Sequence, residues 1–191
     1  PITSFVLRGN AFRVTSPSNL TEIQMELDFG TALAPVMTSV SFSIHQNIGT
    51  SASPIWDHLW SQNPVISLTG TGRNFYSSGL ITPPTLAVNT EYAIAVTWGA
   101  VNIRYFRDQL AYPRAYSDGE VLGAVGQFIA TGPPVDPATD FFFLPFASGA
   151  YSMKLCITPK PGACCNGTSC SYVTESTCLS VNGAFSEELL T

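Results

Sequence analysis

A chain of 191 residues with 45% hydrophobic and only 11% charged side chains holds one domain of moderate size plus an appendage. Eight basic against 13 acidic side chains give a net charge of −5, which works against nucleic-acid or anionic-membrane binding. No apolar run approaches the ~18 residues of a membrane-spanning helix, so no span is predicted.

Along the chain, apolar and polar side chains alternate with period two, and helical periodicity hardly occurs. Strands are expected at 2–8 and 11–15, then in LTEIQMELDF, where Ile23, Met25 and Leu27 oppose Glu22, Gln24, Glu26 and Asp28. In VMTSVSFSIH, Val36, Val40, Phe42 and Ile44 share one face, which turns His45 outward. SPIWDHLW fits a single helical turn, and 65–69 fits a strand. The run Gly70-Thr71-Gly72-Arg73-Asn74 reads as a glycine turn, because no helix pattern follows to make it an anion cradle. In EYAIAVTW, Tyr92, Ile94, Val96 and Trp98 alternate with Ala93, Ala95 and Thr97. Further strands are expected at 101–107, 120–130, 140–146 and 150–157, separated by Pro-, Gly- and Asn-rich turns. About ten short strands with one wet face each predict an all-β, antiparallel, two-sheet jelly-roll-like sandwich over residues 1–158. Pro159 and Pro161 mark the boundary to a tail at 159–191.

The tail holds Cys164, Cys165, Cys170 and Cys178, with Cys156 eight residues ahead. Spacings of one, five and eight, with neither His45 nor His58 close by, favour disulfides over zinc. So small a segment cannot bury a core, and covalent staples replace one. Disulfides imply an oxidising compartment, so the protein is expected to be exported, extracellular or at a cell surface. The opening at Pro1 reads as a mature product. Five cysteines leave one unpaired. Cys156 alternates away from Met153, Leu155 and Ile157, which places it outward, where it is expected to pin the tail to the sandwich.

The order FRVT…NLTEIQMEL…VSFSIHQNIGT…NTEYAIAVTW…IRYF…AYSMKLCI resembles secreted bacterial jelly-roll domains of the choice-of-anchor kind. GACC–C–TESTC–NGAF is similar to a Cys-rich motif attached to secreted proteins of planctomycetes. The plan as a whole resembles, more loosely, head-to-tail β-sandwich filament subunits of environmental bacteria. These resemblances imply a fold and a compartment and bring no catalytic residues.

No catalytic set is legible in the chain: G-x-S-x-G and H-E-x-x-H are absent, and Asp57-His58 cannot form a triad from adjacent positions. No cofactor and no enzyme activity are expected. Asp136 and Asp140 form a weak Ca²⁺ candidate. Asn19-Leu20-Thr21 and Asn166-Gly167-Thr168 match the glycosylation sequon. The sharpest surface is IRYFRDQLAYPRAY, whose Arg104, Arg107 and Arg114 interleave with Tyr105, Tyr112 and Tyr116. Planar guanidinium and aromatic groups stack on sugars and on other proteins. Trp56 and Trp60 are a second candidate platform.

Two functions are compatible with this. The first is a self-associating structural subunit of a pilus-like or fibrous filament, in which residues 1–8 act as an exchanged strand. Ile2, Phe5 and Leu7 at one end, and Phe185, Leu189 and Leu190 at the other, would then bury against another copy. The second is a carbohydrate-binding or adhesive module.

Overall fold

The computed structural model describes residues 5–28, 36–68, 72–82, 84–98, 103–116, 118–129, 149–166, 169–181 and 184–186. With strands numbered in chain order, the larger sheet runs β10 (Arg114–Tyr116), β11 (Gly119–Ile129), β1 (Phe5–Val14), β8 (Tyr92–Trp98), β3 (Val36–Asn47) and β4 (Trp56–Gln62). A further strand, β5 (Val65–Leu68), continues along β3. The smaller sheet runs β12 (Met153–Pro159), β2 (Ser18–Asp28) and β6 (Arg73–Ser77), with the short β7 (Thr85–Leu86) and β9 (Arg104–Tyr105) also on β2. The two sheets are antiparallel and face each other as a sandwich, as the alternation predicts.

The core forms because both sheets turn one apolar row inward. From β2 come Leu20, Ile23, Met25 and Leu27, and from β3 come Val40, Phe42 and Ile44. The β8 row Tyr92, Ile94, Val96 and Trp98 lies between them. Each such burial stabilises by roughly 1.5–3 kcal/mol. The inward spacing of three between Leu20 and Ile23 comes from a bulge. Cys156 pairs with Glu22 and Ile157 with Leu20, so Thr21 is the extra residue.

Four expectations are corrected. Residues 5–14 form one unbroken strand, with β11 on one side and β8 on the other. A strand central to its own sheet is not spare for exchange, and Leu7 is fully buried within its own chain. SPIWDHLW gives no helical turn, since 56–62 pairs with β3 as β4. The stretch 101–107 contributes only Arg104–Tyr105 and an isolated bridge from Arg107 to Tyr151. His45 does alternate away from Ile44, but that face is dry: Ser43, His45, Ala93 and Ala95 are all at most 1% exposed. Both faces of β8 are buried for the same reason. Ile2, Leu189, Leu190, Asp136, Asp140 and the expected strand 140–146 lie outside the described residues.

The tail forms its own three-stranded sheet, β13 (Gly162–Asn166) between β14 (Ser169–Val173) and β15 (Ala184–Ser186), the last carrying Phe185 opposite Cys164. A short helix, α1 (Glu175–Ser180), is capped by Thr174, whose hydroxyl accepts the Thr177 amide at 3.4 Å. Cys164 is bonded to Cys178, tying β13 to α1, and Cys165 is disulfide-bonded as well, with Cys170 opposite it in register.

Cys156 is a free cysteine and does not pin the tail. It faces outward as expected, but β12 aims its sulfur at Glu22 Oε2, 3.6 Å away, rather than at a tail thiol. Burial first, then the Glu22 carboxylate, push the Cys156 thiol above its ordinary value, which makes it a poor nucleophile despite its exposure. At pH 8, Cys156 is expected to react with a disulfide reagent more slowly than a free cysteine, and Glu22→Gln to accelerate it severalfold. Equal rates in both proteins would exclude the carboxylate as the cause.

Candidate binding groove

On the side of the sandwich where β10 and β11 face β12, the sheets do not close. The gap is a groove of about 610 Å³. Its floor is the core itself: Phe12, Val14 and Val121 from the larger sheet, and Met153, Leu155 and Ile157 from β12. Those three β12 side chains are only partly buried, whereas their counterparts on β2 are closed off completely.

Among the described strands β12 lies at the edge of its sheet, and the groove opens there. The segment 106–108 runs beside its approach, with Ser152 N donating to Phe106 O at 2.9 Å and Asp108 N to Ala150 O at 3.0 Å. That segment stays bonded as far as Leu110, whose carbonyl accepts from Gly149 N at 2.7 Å, while Met153–Ile157 pairs with β2 on one side and has no described strand on the other. Ser152 O accepts from Glu26 N at 2.9 Å, so by antiparallel alternation the Met153 and Leu155 peptide groups point away from β2, to a side where no described strand lies.

The rim is polar and internally bonded. Tyr112 OH donates to Asp108 Oδ2 at 2.7 Å, and the Ala150 and Leu110 amides reach Asp108 Oδ1 at 2.8 and 3.3 Å. Burial works to raise the Asp108 carboxyl, but these three donors together with Arg114 hold it below the usual carboxylate range. The Tyr112 phenol is pushed up by burial and by its bonds to Asp108 and Tyr116, so it stays a protonated donor. Arg13 pairs with Glu120 at 3.1 Å, each about a third exposed. Arg73 makes two 2.8 Å bonds to Glu26, and its guanidinium lies 3.9 Å from the Phe106 ring centre. Arg73 and its neighbours hold the Glu26 carboxyl low.

Of the predicted Arg–Tyr surface, Arg107, Tyr112 and Tyr116 do line the groove. Arg104 and Arg114 are exposed outside it. Tyr105, still 37% exposed, lies outside the groove lining, with its ring 6.0 Å from Trp98 and 5.6 Å from Tyr151, under the Arg8 guanidinium. Trp56 and Trp60 do not form a platform. His45 pairs with His58 and Ile44 with Trp60, so Leu59 is bulged. Trp60 packs on the main core, while Trp56 packs on Ala11, Ala93 and Val125 of the opposite face. Asn19 is half-buried and accepts from Thr85, and the exposed Asn166 donates its amide to Val181 O at 3.1 Å. Among the described residues, no cluster of three metal-ligating side chains occurs, and no helix is long and apolar enough to cross a membrane.

Asp108, Arg13, Arg73, Glu120 and Asn10 escaped the sequence reading. They come from four separate stretches; Arg73 and Asp108 lay within runs noted in the sequence, but nothing local marked them as partners of Arg13, Glu120 and Asn10. No protein-family model, curated protein or solved structure matches this chain. The groove is interpretable only from its own chemistry.

Proposed function

We propose that this chain is an exported, non-enzymatic structural subunit that associates with copies of itself, as in a pilus-like or fibrous filament. The observation that carries the reading is the lane beside β12, where, among the described residues, an unpaired strand edge and partly buried core side chains coincide. An extended segment laid there would complete the smaller sheet with backbone bonds and place alternate apolar side chains on Met153, Leu155 and Ile157. Natural sandwiches normally blunt such an edge with charge or proline. A head-to-tail contact of this kind does not close and propagates as a fibre. The disulfide-bonded tail suits an oxidising environment. The acceptor edge is β12, and residues 5–14, expected as the donor strand, are already used by their own sheet.

Size-exclusion with light scattering and negative-stain imaging are expected to show assemblies of the native protein. Met153→Lys, which points a charge into the lane, is expected to leave monomers with unchanged circular dichroism. A native protein that stays monomeric at high concentration rejects the reading.

The rim supports a second reading, a carbohydrate-binding module. Tyr116, 57% exposed, joins Tyr112 and Asp108 in one hydrogen-bonded row beside Arg107, a combination suited to sugar faces and hydroxyls. Under that reading, the monomer binds a neutral oligosaccharide in calorimetry, and Tyr116→Ala weakens binding about tenfold, or ~1.4 kcal/mol.

A further inference from the structure

At the other edge of the larger sheet, two histidines face each other across a strand pair. His45 of β3 and His58 of β4 are register partners, with ring centres 5.3 Å apart. His45 is 1% exposed, and its Nε2 lies 3.0 Å from Ser43 Oγ. His58 Nε2 is buried without a hydrogen-bond partner. Alongside them, Trp56 seals the outer face against Ala11, Ala93 and Val125.

We propose that His45 and His58 form an acid-sensitive latch, which holds edge strand β4 on the larger sheet at neutral pH and releases it under acid. The His45 imidazole is enclosed on this face, with the His58 ring against it and the Ser43 hydroxyl within hydrogen-bond distance of its Nε2. The described neighbours of the pair on this face are small or apolar. From β8 the register partner of His45 is Ala93, and from β3 itself the neighbour on that face is Ser43. Ala93 in turn packs with Ala11 and Val125, against which Trp56 and Leu122 lie. Asp57 is exposed and alternates to the other side of β4, and Glu91 is bonded to Asn47 and Ser51. Because β4 is the terminal strand of its sheet, it can leave without breaking the pairs among β1, β8 and β3.

The direction of the pH effect follows from linkage. Burial, then the His58 charge, push His45 from 6.5 down to about 3. A released His45 therefore takes up a proton that the latched one refuses, and latching weakens as pH falls from 6.5 toward 3. What acid uncovers is Trp56 and the small-residue face beneath it.

Hydrogen exchange read by mass spectrometry from pH 7.5 to 4.5, corrected for intrinsic rates, tests this on the intact protein. Peptides covering 56–62 are expected to lose protection at least about tenfold, while those covering β1 and β8 keep theirs. His58→Phe, and separately His45→Gln, should abolish the selective loss. Uniform loss across both sheets would mean general acid unfolding and overturn the latch. A β4-selective loss that survives both substitutions would overturn the role of the histidines.

Discussion

Gly9→Ala is expected to prevent the larger sheet from forming. Gly9 lies in β1 between β8 and β11, opposite Ala95 and Val125. A methyl group there would fall 1.6 Å from Ile94 O, 2.7 Å from Ile94 C and 2.9 Å from Ala95 Cα. All three are backbone atoms of a strand paired on both sides, so no side-chain rotation relieves the clash. Relief requires parting β1 from β8, which breaks the ladder and opens the core over Phe12 and Tyr92. The cost belongs in the exceptional class above ~4 kcal/mol, or more than about 10 °C in melting temperature for a chain of this size. Gly72→Ala is the matched comparison. Gly72 also has a backbone that suits glycine, with φ of +104°, but nothing lies within 4 Å of the added carbon. It should cost only about 1 kcal/mol. Thermal melts by circular dichroism compare the two, and similar melting temperatures would refute the backbone-clash argument.

Asn10→Ala is expected to cost roughly 2–4 kcal/mol, because one side chain completes a strand's hydrogen bonding. Tyr151 lies on the approach to β12. Its neighbours Ala150 and Ser152 bond Asp108 and Phe106, so the Tyr151 peptide groups face the opposite way, into the sandwich. There the Asn10 amide meets both: its nitrogen donates to Tyr151 O at 2.9 Å, and its oxygen accepts from Tyr151 N at 2.8 Å. Asn10 is 8% exposed and belongs to the other sheet, so these two bonds join the sheets at the head of the groove. Removing them leaves two buried peptide groups unsatisfied. A fall of roughly 5–15 °C in melting temperature is expected. Asn10→Asp tests the donor separately, since it keeps an acceptor for Tyr151 N but sets a charge against Tyr151 O. It should be no less destabilising at neutral pH. A melting temperature within 2 °C of the native protein for both variants would show that water replaces the amide.

Which parts were legible follows from what a local pattern encodes. The apolar rows of β2, β3 and β8 were legible because side-chain direction alternates in any strand. The sulfur cluster was legible because cysteine spacing and segment size constrain the chemistry within thirty residues. His45 shows the limit. Alternation correctly put it opposite Ile44, but it cannot say whether that side meets water, which depends on Trp56 and Leu122 arriving from other strands. Cys156 shows the same limit, as its outward direction was legible and its nearest partner, Glu22, was set by cross-strand register.

By itself, then, the sequence determined an all-β sandwich, its inward-facing rows and a stapled tail, since each rests on periodicity or on spacing within one segment. The tertiary structure alone decided that β1 is central, that bulges at Thr21 and Leu59 redirect their strands, and that β12 ends its sheet beside an open lane. It also decided that Tyr112, Tyr116 and Arg107 gather with Asp108 and Glu120 while Trp56 and Trp60 part. Strand order and register are contacts between residues far apart in the chain, and no local propensity encodes which two edges will meet.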